Sequence, residues 1–226
     1  MSKTPEGGAF VGAAVGAAMP SVPASSSRQP NIATATSRSK RIFFMEALLK
    51  LNKKVMRMDV FEAICGRRSV RAWKDKPLTA EQVAALKDAV KWAPSACNME
   101  SRRFYFVVDE KRKAAVCAAT GRQFPPKMPL VVVGCTDAAR LSARFGAEHG
   151  HDMAIMDVSA ATENMLLAAH SMGLGAVWAS GINREAVAKA VGVAEGITPV
   201  VVVPIGHPDE KPSAPPRRGG TIEEMR

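Results

Sequence analysis

The sequence predicts a layered domain of helices and strands, α+β or α/β, in which helices enclose a sheet. Three observations carry that prediction. Runs of β-branched and aromatic residues at 104–108, 130–135 and 200–203 read as buried strands, and they alternate with longer amphipathic stretches. Gly66, Pro94 and Gly173, residues that end or break helices, punctuate the stretches. Over 226 residues, a hydrophobic content of 47% supplies one sizeable core and leaves little for a second.

Residues 1–40 are rich in Ala, Ser, Gly, Pro and Thr without a sustained apolar period, so they bury too little surface to offset chain entropy and are expected to be disordered. Their Ser and basic content resembles a transit peptide. Glu6 and the lack of an early amphipathic Arg pattern point away from one, and a start assigned too far upstream fits equally. Residues 41–56 set Ile42, Met45, Leu48, Leu49 and Val55 on a basic background, the pattern of a short amphipathic helix. The expected organisation is a basic leader, 1–57, mostly disordered, followed by a folded domain over 58–226.

Asp59 is placed to cap a helix carrying Val60, Phe61 and Ile64 that ends by Gly66. Thr79 with Gln82 has the capping-box form and starts a helix with Val83, Leu86 and Val90 on one face, stopped by Pro94. A helix is expected over 110–120, and Pro125, Pro126 and Pro129 mark a loop before the second strand. The longest helix is expected over 152–172, where Ile155, Met156, Met165, Leu166, Ala169 and Met172 form an apolar surface wide enough for a central or interface helix. Met153, Met156, Met165 and Met172 read as core filler. A strand over 175–180 and a short helix over 184–191 lead into the Val-rich strand.

The formal net charge of +10 invites a nucleic-acid reading, but residues 1–58 hold nine Lys and Arg against two acids and the remainder 22 against 19. Most of the excess sits in the leader. No zinc-finger spacing or aromatic RNA-binding pattern accompanies it, so nucleic acid is not an expected partner. No run reaches the roughly eighteen apolar residues that span a bilayer, and no membrane is expected. Cys65, Cys97, Cys117 and Cys135 form no CxxC pair and fit reduced thiols in a cytoplasm, with Cys97 a small residue packed beneath a loop. His149 and His151, beside Glu148 and Asp152, lack a third ligand and read as a solvated turn, so no metal is expected. His170 reads as a packed or partly exposed polar residue, and His207 as one that fixes a turn. No Gly-x-Gly-x-x-Gly follows a strand and no Gly-x-Ser-x-Gly elbow occurs, which excludes a Rossmann site and the common hydrolase nucleophile.

Arg67-Arg68-Ser69-Val70-Arg71 concentrates three guanidinium groups and a hydroxyl at the end of a predicted helix. Each guanidinium is a planar fork of donors that matches phosphate oxygens, so a phosphorylated cofactor is a natural occupant. In order, this cluster, the capped helix, Trp92-Ala93-Pro94-Ser95-Ala96-Cys97-Asn98, the long helix, Gly173-Leu174-Gly175-Ala176-Val177-Trp178, Ser180-Gly181, Gly206-His207-Pro208 and Pro216-Arg217-Arg218 resemble the FMN-dependent nitroreductase family across roughly 58–226.

The resemblance implies a homodimer of α+β subunits around a mixed sheet enclosed by helices, with two FMN molecules in the interface, each touched by both chains. It places Arg67, Arg68 and Ser69 on the phosphate and ribityl end from one subunit, with Arg218, and Arg217 beside it, closing on the phosphate from the C-terminal tail. It places Arg71 beside flavin N1 and O2, where fixed positive charge stabilises the anionic reduced form. Pro94, Ser95, Ala96 and Asn98 match the loop that the partner lays along the isoalloxazine, and Ser180 and Gly181 the strand end near N5. Two positions depart from the family pattern. Ser180 stands where Glu is frequent, and Glu100-Ser101-Arg102 replaces a Gln-Pro-Trp, which leaves Glu100 able to accept from a flavin N–H but not to donate.

The implied activity is ping-pong transfer of electrons from NAD(P)H through FMN N5 to nitroaromatic, quinone or similar conjugated acceptors, with no catalytic side chain of the protein's own. Related readings are a flavin-binding member without turnover, a sensor or degenerate form, and a related flavin chemistry such as reductive dehalogenation. Residues 136–150, short and with Phe145 their only aromatic, read as an open, permissive acceptor segment.

Overall fold

The computed structural model describes residues 58–122, 124, 128–217 and 224–225. The leader with its expected helix at 41–56, and the prolines at 125 and 126, lie outside the described residues.

Local chemistry fixes the helices. Helix α1, Val60–Gly66, starts at a full capping box, with Asp59 accepting from Phe61 N–H at 2.8 Å and Glu62 accepting from Asp59 N–H at 3.1 Å. Helix α2, Ala80–Lys91, has the same device in Thr79 and Gln82. Helix α3, Glu110–Ala118, is capped by Asp109. Helix α4, Ala139–Phe145, and the start of helix α5, Ala147–Ser171, occupy the segment 136–150, and α5 begins earlier than its apolar pattern indicates. Gly150 allows this, since a Cβ there would stand 2.3 Å from the backbone nitrogen of Ser142 in α4. His149, exposed, and His151, half-buried, stand in the first turns of α5. Helix α6, Arg184–Val191, is capped by Asn183.

The strands are β1 (Arg102–Val107), β2 (Leu130–Asp137), β3 (Gly175–Ala176) and β4 (Ile197–Gly206), in the order β1-β2-β4-β3 with antiparallel neighbours. The parallel component of the sheet comes from the arginine segment, where Ser69 bridges Ala176 in parallel. Alternation along β2 and β4 divides the core in two. Leu130, Val132, Val201 and Val203 pack with Leu86, Val158 and Met165 of α2 and α5, while Val131, Val133 and Val202 pack with Val116 and Val187 of α3 and α6. Gly134 lets α5 approach the sheet, because a Cβ there would meet Val201 at 2.7 Å and Val158 at 3.0 Å.

Several expectations change. Among the described residues the 104–108 run is an edge strand, with Phe104 and Phe106 half-buried against α2 and Val108 66% exposed, because only one of its sides meets a neighbouring described strand. The strand expected over 175–180 keeps two residues. Its register against β4 continues to the Ala179–Val202 bridge, but position 204, opposite Val177, is proline and has no N–H for the ladder. Met165 is core, whereas Met156 is 67% exposed. Cys97 is exposed at φ 51° rather than packed beneath its loop. Cys117 and Cys135 are buried, which pushes their thiols up to about 11 and about 12 and keeps them protonated at neutral pH.

Candidate functional site

A cleft of about 450 Å³ opens where the end of α1, the last turns of α5, the turn into β3 and the segment after β4 meet. Its cations are Arg67, Arg68 and Lys211, and Val70, Leu166, Leu174 and Pro212 supply apolar wall. The arginines stand here because Gly66 ends α1 and the chain then turns extended to dock on the sheet. Val70 N–H donates to Ala176 O at 3.0 Å, and Trp73 Nε1 donates to Gly175 O at 2.8 Å. Gly175 permits the contact, since a Cβ would lie 2.7 Å from Val70 Cγ1.

Arg68 turns its guanidinium back on α1 and donates to the carbonyls of Cys65 and Arg67, both at 2.7 Å, satisfying the helix end. Arg67 stands 3.6 Å from Glu163 of α5 in a partly exposed ion pair. Arg71 is exposed, with a long 3.4 Å contact to Ser69 O, while its backbone N–H is held by the Glu210 carboxylate. Glu210 also accepts from Ala72 N–H at 3.2 Å, and Asp209 N–H donates to Ala72 O at 2.9 Å. The segment after β4 is thereby tied along the arginine segment. His170, in the last turn of α5, lines the cleft, and burial, then Arg67 and Arg68, hold its ring below the usual histidine value.

The second predicted segment is built differently. After α2 the chain forms a 3-10 turn, Ala96–Asn98, in which Cys97 and Asn98, and then Glu100, take φ of 51°, 54° and 50°. Three non-glycine residues in the left-handed region within four positions mark a constrained loop, the kind found at ligand sites. Asp157 of α5, 4% exposed, constrains it by accepting from Ala96 N–H at 2.8 Å and Ser101 N–H at 3.2 Å. Ser95 Oγ accepts from Glu100 N–H at 3.1 Å. Arg102 donates to the Pro94 and Ala93 carbonyls at 3.0 and 2.9 Å, capping the end of α2. Thus Arg102, at a position that departs from the family pattern, holds a helix terminus. Pro94, Asn98 and Glu100 are exposed, Ser95 and Ala96 half-buried.

One chain does not bring the two segments together. Asp157 and His170 are thirteen residues apart on α5, roughly 20 Å at 1.5 Å per residue. Ser180 and Gly181 are exposed just beyond the Ala179–Val202 bridge, and a Cβ at Gly181 would meet nothing within 4 Å. Arg217 is exposed, and Arg218 lies outside the described residues. Sequence reasoning missed Asp157, Glu210 and the part of His170. Asp157 left a signal, a lone acid in phase with Ala154, Val158 and Ala161 on the buried face of a helix; Glu210 left none.

The model of the nitroreductase family matches residues 64–207. A relative from Archaeoglobus fulgidus named "Putative NADH dehydrogenase/NAD(P)H nitroreductase" is 36% identical over 159 residues, which cover 68% of this chain and 88% of the relative. "FMN reductase [NAD(P)H]" of Bacillus subtilis is 26% identical, covering 70% of each chain. Among solved structures, Bacillus megaterium NfrA1 superimposes with a TM-score of 0.69 at 28% identity, covering 74% of each chain. The fold is that of the nitroreductases. This chain belongs to the nitroreductase family.

Proposed function

We propose that the chain is an NAD(P)H-dependent flavin oxidoreductase that holds FMN and passes electrons by ping-pong exchange to nitroaromatic, quinone or similar conjugated acceptors. The observation that carries this reading is the arginine-lined cleft in a chain of the nitroreductase family. Its donor set fits a phosphorylated flavin. Arg67, Arg68 and Lys211 offer charge, and the acid among the described lining residues, Glu210, is engaged with backbone N–H groups and so does not oppose an anion at full strength. The relatives named for FMN reduction and NAD(P)H support the same cofactor and reductant.

Bound FMN supplies a planar ring that accepts hydride from NAD(P)H and returns electrons to an acceptor. The chain's own residues bind and orient. Arg67, Arg68 and Ser69 hold the phosphate end, Arg71 and the Arg217–Arg218 tail add positive charge, and Pro94, Ser95, Ala96, Asn98 and Glu100 form the rigid loop that borders the ring. Ser180 and Gly181 leave an open edge beside it. Because the loop and the cleft of one chain stand far apart along α5, a second copy completes each site. Exposed apolar side chains support that homodimer: Phe61 and Ile64, 72% and 52% exposed, on α1 beside the cleft, and Trp92 and Met156, both 67% exposed, near the loop. The four unpaired cysteines support a reducing, cytoplasmic setting.

The domain is proposed to span 58–226, so deletion of residues 1–57 is expected to leave FMN content at about one per subunit, read from the flavin absorbance. Turnover is tested by stopped-flow mixing of the yellow protein with NADH or NADPH. Bleaching of the flavin band, restored by a quinone, is the expected result; colour that persists under excess nicotinamide means a flavin binder without turnover.

A further inference from the structure

His170 is the titratable ring of the cleft, and neither the family pattern nor the sequence reading gives it work. It shares the cleft wall with Arg67, Arg68 and Lys211. The bare backbone of Gly66 makes room for it: a Cβ there would stand 2.7 Å from His170 Nε2. The ring is thus seated against the end of α1, from which both arginines spring. The charged groups around it are Arg67 and Arg68 from that end, Glu163 on its own helix, and Glu210 and Lys211 from the segment after β4. Glu163 is paired with Arg67, and Glu210 is held by the backbone of Arg71 and Ala72, so the field at the ring is positive. Burial acts in the same direction, and the free ring is held neutral near pH 7.

We propose that His170 is a further cofactor contact, which takes up one proton as the phosphate of FMN enters beside Arg67 and Arg68, so that FMN is retained more tightly as the pH falls. This rests on the flavin reading given above. A phosphate dianion in the cleft reverses the sign of the field and favours imidazolium, a charge-assisted donor, over the neutral ring. The proton is gained in the window between the free ring's midpoint, which lies below 6.5, and the higher midpoint of the loaded ring. Across it, affinity changes by up to about tenfold per pH unit for a single linked proton. The phosphate's own second proton, near pH 6, weakens binding at the acid end identically in wild type and variant, and cancels when the two are compared.

The test is dilution of the yellow holoenzyme across about pH 5.5 to 8.5, with released FMN read by its fluorescence, for wild type and His170→Gln, and with riboflavin-loaded wild type in parallel. The expected result is that the ratio of the wild-type FMN dissociation constant to that of His170→Gln rises with pH through the window, while riboflavin, which has no phosphate, shows no such rise in the wild type. Equal slopes for wild type and His170→Gln overturn the proposal. Should the variant fail to fold, equal slopes for FMN and riboflavin in the wild type above about pH 6.5, where the phosphate is a dianion, overturn it as well. A protein that holds neither flavin at any pH overturns the flavin reading itself, and this inference with it.

Discussion

Replacing Asp157 with alanine is expected to loosen the 94–101 loop and to cost the fold about 2–5 kcal/mol, from two donors, one buried and one partly buried, left without their acceptor. The carboxylate is 4% exposed and accepts from Ala96 and Ser101, the residues that bracket the turn. Both N–H groups lose their acceptor at once. Between them lie Cys97, Asn98 and Glu100 with positive φ, conformations that persist only where the surroundings impose them. Without the anchor those residues relax toward ordinary backbone angles, and the loop surface proposed to border the flavin ring is lost. Urea denaturation reads the first effect as a lower midpoint, and FMN release on dilution reads the second. Asp157→Asn keeps one acceptor oxygen but turns an NH₂ toward a backbone N–H, so a smaller loss of the same kind is expected. An Asp157→Ala protein with the wild-type midpoint and wild-type FMN retention excludes the anchoring role.

How much of this was legible in the sequence follows from how local each determinant is. The capping residues Asp59 and Thr79 act within three residues of themselves, and both helices start where their sequence pattern places them. Strands β2 and β4 are buried on both faces, and an unbroken apolar run is the trace that leaves. The same trace at 104–108 gave no notice of an edge, because edge status depends on what lies on the strand's other side. Strand β3 was overestimated for a non-local reason, a proline almost thirty residues downstream at the paired position of β4. Helix α4 left little to read: its N-cap, Ala138, makes no side-chain bond, and Leu141 is its buried side chain. At the site, the arginine cluster is conspicuous because charge density is a local property. Asp157 and Glu210 serve backbone groups 56 to 61 and 138 to 139 positions away, and only the folded chain brings those together.

Arg67→Ala is expected to weaken FMN retention by roughly ten- to a hundredfold, the loss of a charge-assisted phosphate contact worth about 1.5–3 kcal/mol. The fold should hardly notice. The partner of Arg67 is Glu163 at 3.6 Å, with the two side chains 23% and 48% exposed, and such pairs contribute about 0–1 kcal/mol. Arg68→Ala is a poorer probe, because that guanidinium also satisfies the carbonyls of Cys65 and Arg67 and its removal frays α1. Arg67→Lys retains the charge but loses the fork, so an intermediate retention is expected. Riboflavin retention in Arg67→Ala should match wild type, which separates a phosphate contact from general damage to the cleft. The deficit should also shrink toward acid pH. Arg67 is, after burial, the largest influence holding His170 neutral, so its removal lets the ring gain its proton more readily and supply part of the missing charge. A variant whose FMN dissociation constant equals that of wild type at every pH from about 5.5 to 8.5 removes Arg67 from the phosphate site.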